Sequence, residues 1–163
     1  MNGAHAEVLV LEDEPDQLRR LGQAVGATGL VPLLAEHPRK ALAMLDFHRP
    51  VLAILDLDMS KAEQTGRTVE EVLERLYERH GVCIPIVYSV NVGTVERRDW
   101  IAGLHAYALV QDKRDGEEAL ARRMRRLLRW RALQEHKWRR LLGRSEHRSD
   151  RIPPLYLSDG AGA

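Results

Sequence analysis

Glu7-Val8-Leu9-Val10-Leu11-Glu12-Asp13-Glu14-Pro15 is the stretch on which the reading of the whole chain turns. Four consecutive apolar residues mark a strand covered on both faces, because a strand with one wet face would alternate apolar and polar residues. The run stops abruptly at a group of carboxylates and a proline. Pro15 and Asp16 suit the first turn of a helix, and Leu18, Leu21 and Val25 then recur at spacings of three and four until Gly26 and Gly29. A buried strand that runs through acidic residues into an amphipathic helix is one βα unit.

The unit repeats along the chain. Leu30 to Leu34 reads as a second strand, and Pro38 opens a helix with Ala41, Leu42 and Leu45 on one face, closed by Pro50. Val51 to Leu55 is again wholly apolar and ends at Asp56-Leu57-Asp58. Thr68 with Glu71 three residues on is a capping box, ahead of the stripe Val69, Val72, Leu73 and Leu76. Cys83 to Val90 is the fourth strand, Thr94 to about Leu104 a short helix, Ala106 to Gln111 the fifth strand, and Gly116 starts the last helix. Five strands alternating with five helices predict a doubly wound α/β architecture on a five-stranded parallel sheet, since parallel neighbours need crossover connections.

The composition agrees with a folded domain. The chain has 163 residues, 44% hydrophobic and 30% charged, which predicts one domain with an appendage and no wholesale disorder. Apolar runs reach only about five residues, far below the roughly 20 that span a bilayer, so no membrane span is expected. A lone Cys83 argues against a disulfide framework or a thiolate zinc site. With no secretory signal legible near Met1, a cytoplasmic location is expected. The net charge of +1 conceals an asymmetry: residues 1–121 carry 13 basic and 20 acidic side chains, residues 122–151 carry 12 and 3. The expected organisation is therefore a body over 6–128, a basic helical extension over 129–151 and a flexible tail over 152–163.

In open parallel sheets the binding crevice lies beyond the carboxyl ends of the strands, where strand order reverses. The strand-end residues are Glu12 and Asp13, Asp56, Ser89 and, after the fifth strand, Lys113. Three carboxylates in one crevice repel one another and call for a cation, and oxygen-only ligands in a partly open site favour Mg²⁺. A cation, a nucleophilic carboxylate, a hydroxyl and an ammonium together make a receptacle for a transferred phosphoryl group. Read singly, the same residues have plainer roles: Glu12 and Asp13 suit a helix N-terminus, Asp56 a turn, and Ser89 and Lys113 a strand end and a solvated loop.

At this point the sequence resembles the receiver domains of bacterial two-component response regulators. The resemblance rests on Val8 to Pro15, Pro50 to Leu57, Ile84-Pro85-Ile86-Val87-Tyr88-Ser89, and Lys113 followed by Asp115 to Leu120. It implies a flavodoxin-like, receiver-type fold standing alone in this chain with its C-terminal basic helical extension. It implies Asp56 as phosphoacceptor, with Asp13, Asp56 and the backbone carbonyl of Asp58 on Mg²⁺ and Glu12 beside them. Ser89 becomes the switch hydroxyl and Lys113 the conserved-type lysine. A sensor histidine kinase or phosphotransfer protein is the implied donor, a downstream protein the implied target, and no enzymatic turnover is implied beyond the domain's own phosphorylation and dephosphorylation.

Several positions depart from the family's pattern. Ser60 stands where proline is common, and Ser89 follows Pro85 by one residue fewer than usual, which would land on Val90. Counting back from Leu120 puts the lysine at Lys113, and counting forward from Ser89 puts Gln111 there; neither precedes a proline. Tyr107 is the candidate aromatic of the fifth strand. With Gln111 in the lysine's place the alternative gains: a pseudo-receiver interaction scaffold whose basic C-terminal helix binds a partner protein or nucleic acid.

The basic segment reads as a helix from Gly116 to Leu142, ~40 Å long, ending at Gly143. Leu120, Met124, Leu127 and Leu128 form its packing stripe, Arg122, Arg123, Arg125, Arg126 and Arg129 its outer face, and its distal half is expected to project. Trp130 and Trp138 on such a helix call for a partner: a second copy in a homodimer, a target protein or a nucleic-acid backbone. No helix-turn-helix follows the body.

Overall fold

The computed structural model describes residues 6–59, 68–80, 82–90, 95–105 and 107–142. Strands β1 (Glu7–Leu11), β2 (Val31–Ala35), β3 (Leu52–Leu55), β4 (Ile84–Ser89) and β5 (Leu109–Asp112) alternate with helices α1 (Pro15–Gly26), α2 (Pro38–Phe47), α3 (Val69–Arg79), α4 (Val95–Leu104) and α5 (Gly116–Leu142). The strands form one parallel sheet in the order β2-β1-β3-β4-β5. Strand order therefore reverses between β1 and β3, the place where a crevice opens in such sheets.

Burial follows position in the sheet. β3 and β4 are buried at every residue and β1 at all but Glu7, whereas the edge strands β2 and β5 are only partly covered. Leu9, Leu11, Leu33, Ala35, Ala53 and Leu55 share one core with Ala41 and Leu45 of α2 and Val72, Leu73 and Leu76 of α3. The alternate residues Val8, Val10, Leu52, Ile54 and Ile86 are equally buried and face the other layer. On α1, Gly22 lies under Leu34: a Cβ there would meet the Leu34 methyls at 3.2 Å, so the missing side chain lets helix and edge strand close up.

Local signals set the helix starts. Pro15 sits in the first turn of α1, and the His37 ring accepts the Lys40 N–H at 3.1 Å to cap α2. Thr68 and Glu71 complete the capping box, with the Thr68 hydroxyl accepting the Glu71 N–H at 3.3 Å and the Glu71 carboxylate accepting the Thr68 N–H at 2.9 Å.

The strand limits shift where turns compete with pairing. β2 runs one residue later than expected, because its ladder with β1 starts at Glu7 and Val31. β3 and β4 are a residue or two shorter than the apolar runs. β5 moves most, from 106–111 to Leu109–Asp112. His105 N–H donates to the Ile101 carbonyl and Ala108 N–H to the His105 carbonyl, with a turn at Tyr107, and pairing with β4 begins at Leu109. Thr94, Gly143 and the tail over 152–163 lie outside the described residues.

The chain divides into two compact units, Met1–Arg125 and Arg126–Ala163, with the division falling inside α5. Along α5, Leu120, Met124 and Leu127 are buried and Arg122, Arg125, Arg126 and Arg129 exposed. Arg123 departs from the expected outer face: it is half-buried and donates to the Val110 carbonyl at 2.6 Å and to Gln111 Oε1 at 2.9 Å. Trp130 is half-buried, and the side chain of Trp138 lies outside the described residues. Among the described residues no helix is long and apolar enough to cross a membrane.

His105 is fully buried at the end of α4, with the rings of Tyr77 and Tyr107 edge-on at 5.5 and 6.0 Å. Its Nδ1 accepts the Tyr107 N–H, which leaves the proton of the neutral ring on Nε2, an atom without a partner among the described residues. Burial pushes its pKa down to about 4. The unfolded chain then takes up the proton first, so stability present at pH 7 is lost as pH falls from about 6.5 to 4, by about 3 kcal/mol through this group. Urea unfolding at pH 7 and pH 4 tests this: in His105→Phe the stability difference between the two pH values shrinks by about that amount.

Candidate functional site

The carboxyl ends of β1, β3 and β5 converge. Glu12 N–H donates to the Ala35 carbonyl at 3.1 Å and Asp56 N–H to the Leu11 carbonyl at 2.9 Å, so the ladder continues past the strands and fixes both acidic residues. Glu12, Asp13 and Asp56 are 1%, 9% and 4% exposed, and each offers a carboxylate oxygen within 4.8 Å of the others. At that separation each pair of like charges costs roughly 3 kcal/mol at an effective dielectric of about 20.

One ammonium answers them. Lys113 Nζ lies 2.6 Å from Asp56 Oδ2 and 2.7 Å from Glu12 Oε2. The remaining oxygens are held by backbone: Glu12 Oε1 accepts the Glu14 N–H at 3.2 Å and Asp56 Oδ1 the Asp58 N–H at 3.1 Å. Burial of Lys113 works against its charge, but the hydrogen bonds and charges of Asp56 and Glu12 outweigh it and raise its pKa. Glu12 is raised too, first by burial and then by the charge of Asp56, against the pull of Lys113. Among the described residues, Lys113 is the ammonium that these carboxylates contact. An all-oxygen set of this kind fits a hard divalent cation such as Mg²⁺.

Of Lys113 and Gln111, it is Lys113 that touches Asp56 and Glu12. Gln111 lies in β5, where its Nε2 donates to Asp115 Oδ2 at 2.5 Å and its Oε1 accepts from Arg123. The chain then folds into a 3₁₀ turn, Lys113–Asp115, capped by Asp112, whose Oδ1 accepts the Arg114 N–H at 2.8 Å. Gly116 leaves the turn at φ 80°, a left-handed conformation that glycine adopts without cost. The turn delivers Lys113 to the carboxylates two residues later than the strand count suggests. Tyr88, buried beneath it and held up at about 12 by burial and by the charges of Glu117, Asp115 and Glu12, donates to the Lys113 carbonyl at 3.4 Å.

Ser89 is fully buried, but its hydroxyl does not point at Asp56: it donates to Asp58 Oδ2 at 2.5 Å. Val90, the other candidate by count, is half exposed. Tyr107 packs against His105, and Ser60 lies outside the described residues. Sequence reasoning missed the side-chain role of Asp58 and the Gln111–Asp115–Arg123 network. The Asp112-Lys113-Arg114 cap and Gly116 were the legible signals for the turn.

No protein-family model matches the sequence, and no curated protein matches it. The fold does have solved counterparts. A CheY-like response regulator receiver domain protein from Methanospirillum hungatei aligns over 80% of this chain and 99% of its own, with a TM-score of 0.67 at 17% identity. The signal receiver domain of a LuxO-type repressor protein from Vibrio parahaemolyticus aligns over 80% and 95%, with a TM-score of 0.67 at 20% identity. The response regulator TrrA from Thermotoga maritima, solved in complex with Mg²⁺ and BeF, aligns over 65% and 86%, with a TM-score of 0.52 at 22% identity. The fold is thus that of response-regulator receiver domains.

Because its folded pKa is raised, ionised Glu12 costs stability at neutral pH, and that cost is relieved as pH falls through the raised value. Glu12→Gln is therefore expected to melt a few degrees above the parent at pH 7 without divalent ions. Calorimetry in EDTA checks it; a lower melting temperature would mean that pairing with Lys113 outweighs burial.

Proposed function

We propose that this chain is a phosphoacceptor receiver of a two-component phosphorelay, phosphorylated on Asp56. The observation that carries the reading is the pair of contacts from Lys113 to Asp56 and Glu12, at the strand ends of a receiver fold. Asp13 and Asp56, with the Asp58 backbone carbonyl, would hold Mg²⁺, and Glu12 lies beside them. When bound, the ion supplies positive charge for the carboxylates and for the oxygens of an incoming phosphoryl group. The Mg²⁺ and BeF of the Thermotoga maritima structure support this assignment by analogy.

The chemistry of the protein's own groups follows from their contacts. Each oxygen of Asp56 accepts one hydrogen bond and keeps a second lone pair. One of them attacks phosphorus in line with the donor. The new P–O bond forms as the P–N bond of a phosphohistidine breaks, its electron pair staying on the imidazole. The Lys113 ammonium is placed to meet charge as it develops on the phosphoryl oxygens. The partners are a sensor histidine kinase or phosphotransfer protein and a downstream protein, the chain itself is cytoplasmic, and it turns over nothing but its own phosphoryl group. A pseudo-receiver scaffold would need Gln111 in the lysine's place, and the 2.6 Å contact of Lys113 with Asp56 speaks for the phosphoacceptor.

Intact-mass measurement after acetyl phosphate and Mg²⁺ tests the reading. The parent gains the mass of one phosphoryl group, and the gain disappears in Asp56→Asn and in EDTA. Lys113→Ala labels about 100-fold more slowly, the scale of removing one preorganised donor from a transition-state oxygen. An Asp56→Asn protein that labels as well as the parent overturns the proposal.

A further inference from the structure

Asp58 touches two functional groups at once. Its backbone N–H donates to Asp56 Oδ1 at 3.1 Å, and its carboxylate accepts the Ser89 hydroxyl at 2.5 Å, the length of a charge-assisted bond. Ser89 is fully buried at the end of β4, while Asp58 is exposed. A hydroxyl has one proton to give. While Asp58 holds it, Ser89 offers nothing to an oxygen arriving on Asp56.

We propose that Asp58 is a positioning residue that latches the Ser89 hydroxyl away from the phosphoacceptor and releases it when phosphoryl charge arrives. The inference rests on the phosphoacceptor reading above. A phosphoryl group on Asp56 brings a charge of about −1.5 to −2 and three acceptor oxygens. The Asp58 carboxylate, tethered two residues away, is repelled by that charge and drawn off the Ser89 hydroxyl. The Ser89 proton is then free to turn to a phosphoryl oxygen. Formation of the phosphorylated state therefore includes breaking one charge-assisted hydrogen bond, and the latch resists phosphorylation by that bond's strength.

A double-mutant cycle with acetyl phosphate and Mg²⁺, read by intact mass, tests this on the full chain. Asp58→Ala and Asp58→Asn both keep the backbone carbonyl and N–H. Asp58→Ala is expected to raise the labelling rate about tenfold when Ser89 is present, the scale of one charge-assisted bond. In the Ser89→Ala background the same change is expected to be under about threefold, the residue of a general charge effect on an anionic donor. Asp58→Asn, which keeps a neutral acceptor oxygen, falls between parent and Asp58→Ala. Should Ser89→Ala fail to fold, Ser89→Cys, a weak donor of similar size, closes the cycle. A labelled parent in which Asp58→Ala has the same effect in both backgrounds overturns the latch and leaves the phosphoacceptor reading standing. A parent that takes no label overturns both.

Discussion

Three carboxylates buried within 4.8 Å of one another, with one ammonium between two of them, form the constraint around which the rest of the molecule is arranged. Nothing about folding alone favours such a cluster: removing a carboxylate from water costs free energy unless it is paired and hydrogen-bonded. The structure supplies those partners from every side. Backbone N–H groups of Glu14 and Asp58 take one oxygen each from Glu12 and Asp56, and Lys113 takes another from both. An all-oxygen set of this kind fits a hard divalent ion. Stability is given up at this cluster, and the apolar strands β1, β3 and β4 behind it offset that loss.

The sheet was legible because β1 and β3 carry apolar runs that end at acidic residues, a pattern that only a doubly covered parallel strand requires. Val8 to Leu11 and Leu52 to Leu55 needed no tertiary information, and the Thr68 and Glu71 box marked its helix for the same local reason. The edge strands were less legible. β5 has partly exposed residues and a short run, so the turn after His105, a matter of backbone hydrogen bonds, decided where pairing starts. Likewise Glu12, Asp13 and Asp56 could be placed together from strand order alone, whereas the choice between Lys113 and Gln111 depended on the 3₁₀ turn and its cap. Side-chain hydrogen bonds such as Ser89 to Asp58 leave no trace in periodicity.

The turn that carries Lys113 shows how a departure in sequence is absorbed. Without a proline to fix the chain after β5, the residues on either side of the lysine do that work. Asp112 caps the turn through Arg114, Gln111 reaches forward to Asp115, and Arg123 on α5 reaches back to Gln111 and the Val110 carbonyl. From the other side, Glu117 at the start of α5 accepts from Gln17 and Arg20 of α1, both at 3.2 Å. The lysine is therefore clamped between two polar ties, one to α5 alone and one joining α5 to α1. A rigid support is what a single ammonium needs if it is to bridge two carboxylates, because a long flexible side chain left to itself loses most of its pairing energy to entropy. The same ties mean that any change in the company of Lys113 is borne by the first turns of α5. Among the arginines that mark this helix in the sequence, Arg123 thus turns inward as a brace, while Arg122, Arg125, Arg126 and Arg129 are exposed.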